Sequence, residues 1–239
     1  MLRILILGGT RFLGRSVVKS LAAAGHDLTL ISRRQTDVPS GVRNVCKERT
    51  VGLERLKGYH FNLVIDFICY DEENIDDIGN NVVAENYVLV SSTWVPRLWS
   101  GKCAVELPRL SVQPLGALSD VTKNYLSGKL RAELALTKLR KLGCNAVSLR
   151  LPIMLGEGDH TGRLDFYLRR FVDTGPLILV GGGNNHAQIV SMEDIAQAII
   201  LWCNKVDISR FLVWEALPGE GESVRKIIET MVTSVGAAV

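Results

Sequence analysis

Paired cysteines, long apolar runs and concentrated charge are all missing from this chain of 239 residues. Its five cysteines, Cys46, Cys69, Cys103, Cys144 and Cys203, form no CxxC pair and show no metal-ligand spacing. That argues against a disulfide framework or a zinc site, and predicts small buried hydrophobes in a reducing compartment. No apolar stretch approaches the roughly 20 residues that a membrane span needs, so a cytoplasmic protein with no membrane partner is expected. The first apolar run, Ile4 to Leu7, leads straight into glycines and reads as a strand rather than a signal peptide. With 28 Lys and Arg against 25 Asp and Glu, the net charge of +3 is too slight for an electrostatic footprint, and nucleic acid is not an expected partner. Internal repeats and low-complexity tracts are also absent.

What the chain does have is apolar residues (47%) in an ordered alternation. LRILILG, DLTLIS, NLVIDFI, YVLVSS and NAVSLRL are near-continuous apolar runs of strand length. Between the first two, Leu13, Val17, Val18, Leu21 and Ala24 mark one helix face that stops at Gly25. Between the last two, a helix is predicted from about Tyr125 to Leu142, with Leu126, Leu130 and Leu134 as its apolar positions. Lys138, Arg140 and Lys141 fall in its last turn, where cations suit the helix dipole. Apolar strands separated by helices imply an α/β fold: a doubly wound, Rossmann-like parallel sheet with ligands at the carboxyl ends of its strands. After Pro152 the pattern predicts a helix near Leu164 to Thr174, a short strand LILV, a GGGNN cluster and a helix from about Asp194. A single domain over 1–239 is expected, with substrate-side elements mainly within 153–190 and 211–239.

GGTRFLG, Gly8 to Gly14, lies between the first strand and the first helix. Glycines there let the backbone approach a pyrophosphate, which the helix amino terminus stabilises. Gly8, Gly9, Thr10, Arg11, Phe12, Leu13 and Gly14 are therefore candidate coenzyme contacts. Where an acidic residue would hold the ribose 2′-hydroxyl of NAD, the second strand ends in Ser32, Arg33 and Arg34, with no carboxylate until Asp37. Guanidinium forks suit the 2′-phosphate of NADP, and Arg11 can swing to join them. The coenzyme favoured by this pattern is NADP(H) over NAD(H).

Tyr125 and Lys129 stand four residues apart on one helix face. A phenol titrates near pH 10 unaided, so acid–base work at neutral pH needs a nearby ammonium to lower that value. Ser91, Ser92 and Thr93 end a strand at the carboxyl edge of the sheet, where a hydroxyl can hold a substrate oxygen. Asp159, His160 and Asp165 are close in sequence, but together they are not read as a metal site. Trp202 and Trp214 are read as core.

In this order, strand–GGTRFLG–helix, VLVSST, YLSGKLRAE and LRLPIMLGEGD resemble the short-chain dehydrogenase/reductase superfamily. The resemblance is to its extended, NAD-dependent epimerase/dehydratase branch, in an atypical subgroup with an arginine in the glycine turn. It runs from about Leu2 to Ile200. It implies that Tyr125 is the catalytic acid/base, Lys129 its partner and a coenzyme contact, and Thr93 the substrate-polarising hydroxyl. Glu133 fits the family's acidic position after the lysine. Asp66 and Ser91 fall beside the coenzyme, and Glu48 takes the place of an aspartate facing adenine. Arg150 and Pro152 match an RxP segment beside the substrate, and Gln188 and Asp194 a QxxxxxD segment nearby. The chain departs from the pattern at KER, at Trp94-Val95-Pro96, and in stopping soon after RKIIETMVTSVG, which implies a shortened substrate region. The implied activity is hydride transfer to or from a carbonyl or secondary alcohol of a small molecule, including a nucleotide-sugar or tailoring-pathway substrate. A nucleotide-sugar epimerase or dehydratase that retains its NAD(P) uses the same residues. Other relatives with this glycine turn are non-catalytic coenzyme sensors or chloroplast stem-loop RNA-binding proteins, which usually lose the tyrosine–lysine pair. The branch also implies a homodimer through the helix bearing Tyr125.

Overall fold

The computed structural model describes residues 1–35, 37–95, 119–159, 161–173, 177–205, 213–216, 219 and 221–234. In chain order the strands are β1 (Arg3–Leu7), β2 (Asp27–Ser32), β3 (Arg43–Cys46), β4 (His60–Asp66), β5 (Val83–Ser92), β6 (Asn145–Leu151), β7 (Ile153–Leu155), β8 (His186–Ala187), β9 (Ile189–Ser191), β10 (Val213–Glu215) and β11 (Glu222–Ser223). The helices are α1 (Phe12–Ala23), α2 (Arg49–Glu54), α3 (Glu72–Asn81), α4 (Asp120–Lys141), α5 (Arg163–Val172), α6 (Met192–Lys205) and α7 (Val224–Ser234).

Seven strands form one parallel sheet in the order β10-β6-β5-β4-β1-β2-β3. The chain winds one way from β1 to β3 and the other way from β4 onward, so the order reverses between β1 and β4. A crevice at such a reversal is where open α/β sheets take ligands. Side chains alternate across the sheet, as the pleat demands. Ile4 and Ile6 of β1 pack with Val17 and Leu21 of α1 and with Ile195 and Ile199 of α6. Leu5 and Leu7 face the opposite layer, with Leu53 of α2, Ile75 of α3 and Leu136 of α4. β7 pairs with β9 and β8 with β11, outside the main sheet.

The five runs read as strands are strands. The helix predicted from Tyr125 begins earlier, at Asp120, because Ser119 caps it by accepting from Thr122 N. Its apolar face also differs. Leu126 is buried but Leu134 is 55% exposed, and Ala132, Ala135, Leu136 and Leu139 face the sheet instead. A strict four-residue step overshoots the helical turn by about 40°, so a row of leucines so spaced drifts off the buried stripe. LILV is not a strand: Leu177 to Leu179 have no regular structure and Val180–Gly183 is a 3-10 turn with φ of 61°, 67° and 76° at its three glycines. Of the cysteines, Cys69 and Cys144 are buried and Cys46 half-buried, while Cys103 lies outside the described residues.

Candidate active-site cleft

A cleft of about 1430 Å³ opens at the carboxyl ends of β1, β2, β4 and β5. Its first wall is the glycine turn. Gly8 has φ 84°, and a Cβ there would lie 2.5 Å from Ile68 Cγ2. At Gly14 a Cβ would lie 2.7 Å from the Gly8 carbonyl oxygen, so α1 rests directly on the turn. Gly9 faces inward, where a Cβ would meet Val18, Leu30 and Ile6. It packs the turn and is not among the described residues lining the cleft. Gly8, Thr10, Arg11, Phe12, Leu13 and Gly14 do line it, and Phe12 has a φ of 42°.

The amino end of α1 has no side-chain cap and no acidic residue in its first turn. In contrast, α3 is capped by Asp71 and followed by Glu72 and Glu73, and α4 is capped by Ser119 with Asp120 beside it. Helix amino ends without an acidic neighbour are the kind that favour anions. Arg11, Arg33 and Arg34, all exposed, line the same end of the cleft with Ser32 and Glu48. Ser32 Oγ lies 2.9 Å from the Arg34 carbonyl oxygen and 3.1 Å from Asn44 Oδ1, which fixes the turn that presents the two arginines.

The floor is the segment after β4. Asp66, expected beside the coenzyme, is instead fully buried under it. It pairs with Arg49 at 2.7 Å, accepts from the Tyr87 hydroxyl at 2.8 Å and accepts from Ile68 N at 3.0 Å. Its charge is spent on the loop, and Phe67, Ile68 and Tyr70 line the cleft above it. Arg131 of α4 clasps Asp71 through two bonds of 2.8 and 2.6 Å.

The far wall carries Tyr125 and Lys129, both lining the cleft with Ser91, Ser92 and Trp94. Tyr125 is 42% exposed, whereas Lys129 is only 2% exposed. Lys129 Nζ donates to the Val90 carbonyl oxygen at 2.7 Å and lies 6.0 Å from the centre of the Tyr125 ring. The expectation that the ammonium depresses the phenol is not met. Burial, with Tyr70 adding to it, pushes the Tyr125 phenol above its ordinary value. Burial pulls the Lys129 ammonium below its own. Thr93 is not among the described residues lining the cleft, because the chain turns after Ser92 and Thr93 N donates to the Leu151 carbonyl oxygen.

Behind this wall Glu133 Oε1 accepts from Ser91 Oγ at 2.6 Å, from Ser148 Oγ at 2.9 Å and from Arg150 Nε at 3.0 Å. Arg150, expected beside substrate, is buried between Glu133 and Glu215 and fastens α4 to β6 and β10. Its strand neighbour Pro152 does line the cleft, with Ile153, Met154 and Thr161. Gln188 donates to the Gly219 carbonyl oxygen, and Asp194 sits exposed at the start of α6, its N–H donating to Ser191 Oγ. Neither is among the described lining residues. Asp159 Oδ1 accepts from Thr161, and His160 lies outside the described residues.

Tyr70 lines the cleft although no motif includes it, and Ser92 and Trp94 line it on either side of Thr93. Their position just past the carboxyl ends of β4 and β5 is the signal that could have found them.

A parallel sheet with reversed strand order, a glycine turn feeding an uncapped helix and a cleft across both define a Rossmann-like α/β protein. Residues 4–211 match the model of the NAD dependent epimerase/dehydratase family, and the chain belongs to that family. No curated protein matches it in sequence. Among solved structures it is similar to the Bordetella bronchiseptica enzyme WbmF in complex with NAD+, at 14% identity and a TM-score of 0.73, over 100% of this chain and 79% of that one. It is also similar to Thermus thermophilus UDP-glucose 4-epimerase in complex with NAD, at 19% identity and a TM-score of 0.67, over 99% and 84%. A third likeness is to the Methanobrevibacter ruminantium UDP-N-acetylglucosamine 4-epimerase in complex with UDP-N-acetylmuramic acid, at 15% identity and a TM-score of 0.73, over 100% and 83%. At these identities the likeness is one of fold.

Proposed function

We propose that this protein is an NADP(H)-dependent oxidoreductase of the ketoreductase type, acting on a carbonyl or secondary alcohol of a small molecule. One observation carries the reading: a single cleft joins three arginines at the uncapped end of α1 to a phenol and an amine on α4. The residues present fit a dinucleotide. The cleft exceeds the roughly 300–1,000 Å³ of ordinary ligand sites, and its anion-binding end has cations but no capping acid.

Backbone groups of the Gly8–Gly14 turn hold the pyrophosphate, and Arg11, Arg33 and Arg34 hold the 2′-phosphate. When bound, the reduced coenzyme would supply a hydride, one proton with two electrons, to the substrate carbon. Tyr125 keeps its proton through neutral pH and donates it to the substrate oxygen, which suits reduction. Ser92, at the cleft surface, orients that oxygen, the role first given to Thr93. Lys129 is held by the Val90 carbonyl at the foot of Tyr125. Pro152 lines the substrate end.

A retained-coenzyme epimerase or dehydratase of nucleotide sugars is the second reading. It is favoured by the family match and by neighbours named for UDP-sugar chemistry. The test is titration with NADPH and NADH, followed by a carbonyl panel run with Tyr125→Phe as control. Tighter NADPH binding and carbonyl-dependent NADPH consumption that the variant lacks are expected. Equal affinity for both coenzymes, with conversion of UDP-sugars and no added coenzyme, would establish the second reading instead.

A further inference from the structure

Tyr70 lines the cleft beside Tyr125 and Lys129. Its backbone is fixed from three sides. Tyr70 N donates to Asn74 Oδ1 at 2.9 Å, Asp66 anchors the loop from below, and the Tyr70 carbonyl presses on Gly128, where a Cβ would overlap it. So held, the Tyr70 ring centre lies 4.7 Å from Lys129 Nζ and 6.2 Å from the ring centre of Tyr125. Lys129 Nζ is closer to Tyr70 than to Tyr125, whose ring centre is 6.0 Å away.

We propose that Tyr70 is a positioning residue for the Lys129–Tyr125 pair: its ring face holds the ammonium against the Val90 carbonyl and keeps that charge off the Tyr125 phenol. An ammonium within about 6 Å of an aromatic centroid is attracted by the ring quadrupole, most strongly when water is excluded. Lys129 is almost wholly buried while Tyr70 is half exposed, so solvent reaches this contact from the ring side only. The other ionisable groups around the pair are Cys69 and Asp66 from the β4–α3 segment, Arg49 from α2 and Glu133 from α4. Arg33, after β2, acts on Tyr70 itself. Tyr70 flanks both members of the pair, its ring centre 4.7 Å from the ammonium and 6.2 Å from the Tyr125 ring centre.

This inference rests on Tyr125 as the proton donor, but its test does not need the coenzyme. The five tyrosines of the full chain are labelled with carbon-13 in the ring and titrated by NMR without coenzyme, Tyr125 being identified by loss of its signal in Tyr125→Phe. Tyr70→Leu should lower the Tyr125 midpoint by about one pH unit. Tyr70→Phe, which keeps the ring and loses only the hydroxyl's own charge, should shift it less than Tyr70→Leu does. In a Lys129→Met background, Tyr70→Leu should move it no more than Tyr70→Phe does. If Tyr70→Leu does not fold, Tyr70→Met serves as the ring-free variant. No downward shift, an equal shift in Tyr70→Phe, or an undiminished shift without the lysine would each overturn the proposal. A failure of NADPH to bind, measured separately, bears on the proposed function alone.

Discussion

Gly128 of α4 lies against the carbonyl oxygen of Tyr70 with no room for a side chain between them. Alanine favours a helix interior over glycine by about 1 kcal/mol, so propensity alone would make Gly128→Ala stabilising. Here the new methyl must push backbone rather than a flexible side chain. Overpacking of that kind costs about 1–3 kcal/mol. We expect Gly128→Ala to lower stability in urea denaturation and to weaken coenzyme binding, because the displaced segment is the cleft floor. A variant as stable as the parent would show that the loop yields freely.

Arg49 and Asp66 form a buried pair that supports the same floor from beneath. Removing one partner of such a pair costs about 3–5 kcal/mol, because the other is left charged and dry. Arg49→Met should therefore be strongly destabilising, and adding Asp66→Asn should recover part of the loss. Chemical denaturation of the two variants measures both effects.

Selectivity between coenzymes should reside in the cationic end of the cleft. A hydrogen bond to a charged group contributes about 1.5–3 kcal/mol, or roughly tenfold to hundredfold in affinity. Arg11→Ala and Arg33→Ala should each weaken NADPH by that order and leave NADH nearly unchanged. Isothermal titration checks this, and parallel losses for both coenzymes would place these arginines on the shared pyrophosphate.

Burial pushes the Cys69 and Cys144 thiols from 9.0 up to about 12. At Cys69 the carboxylate of Asp66 adds to the burial. Both should resist alkylation in the native protein at pH 8 and react once it is unfolded, as mass spectrometry would show. The sign for stability follows. Between pH 9 and 12 the unfolded chain releases these protons while the native state keeps them, so stability present below pH 9 is lost as the pH rises. Burial of Lys129 acts in the opposite direction, since its native state loses a proton first.

The central strands and the glycine turn were legible because buried parallel strands are written as apolar runs, and the turn as glycines next to one. β3 and α2 were not foreseen: RNVC carries an arginine and an asparagine, and RTVGLE is too short to show a period. Tyr125 and Lys129 were found by their spacing, but the state of that pair was not. Spacing puts two groups on one face, whereas Tyr70, brought in from a segment far away in sequence, decides what the ammonium touches. Arg150 and Asp66 failed as cleft residues for a related reason. A charged residue near the end of a buried strand can point to ligand or to its own counter-ion, and only Glu133 and Arg49 decide between them.

The short span from Asp66 to Asp71 touches Gly8 through Ile68 and Gly128 through Tyr70. At Gly128 the neighbour is backbone, the Tyr70 carbonyl, whereas at Gly8 it is the branched side chain of Ile68. Two residues of one short segment thus reach both walls of the crevice, Ile68 against the glycine turn and Tyr70 against the helix that carries Tyr125.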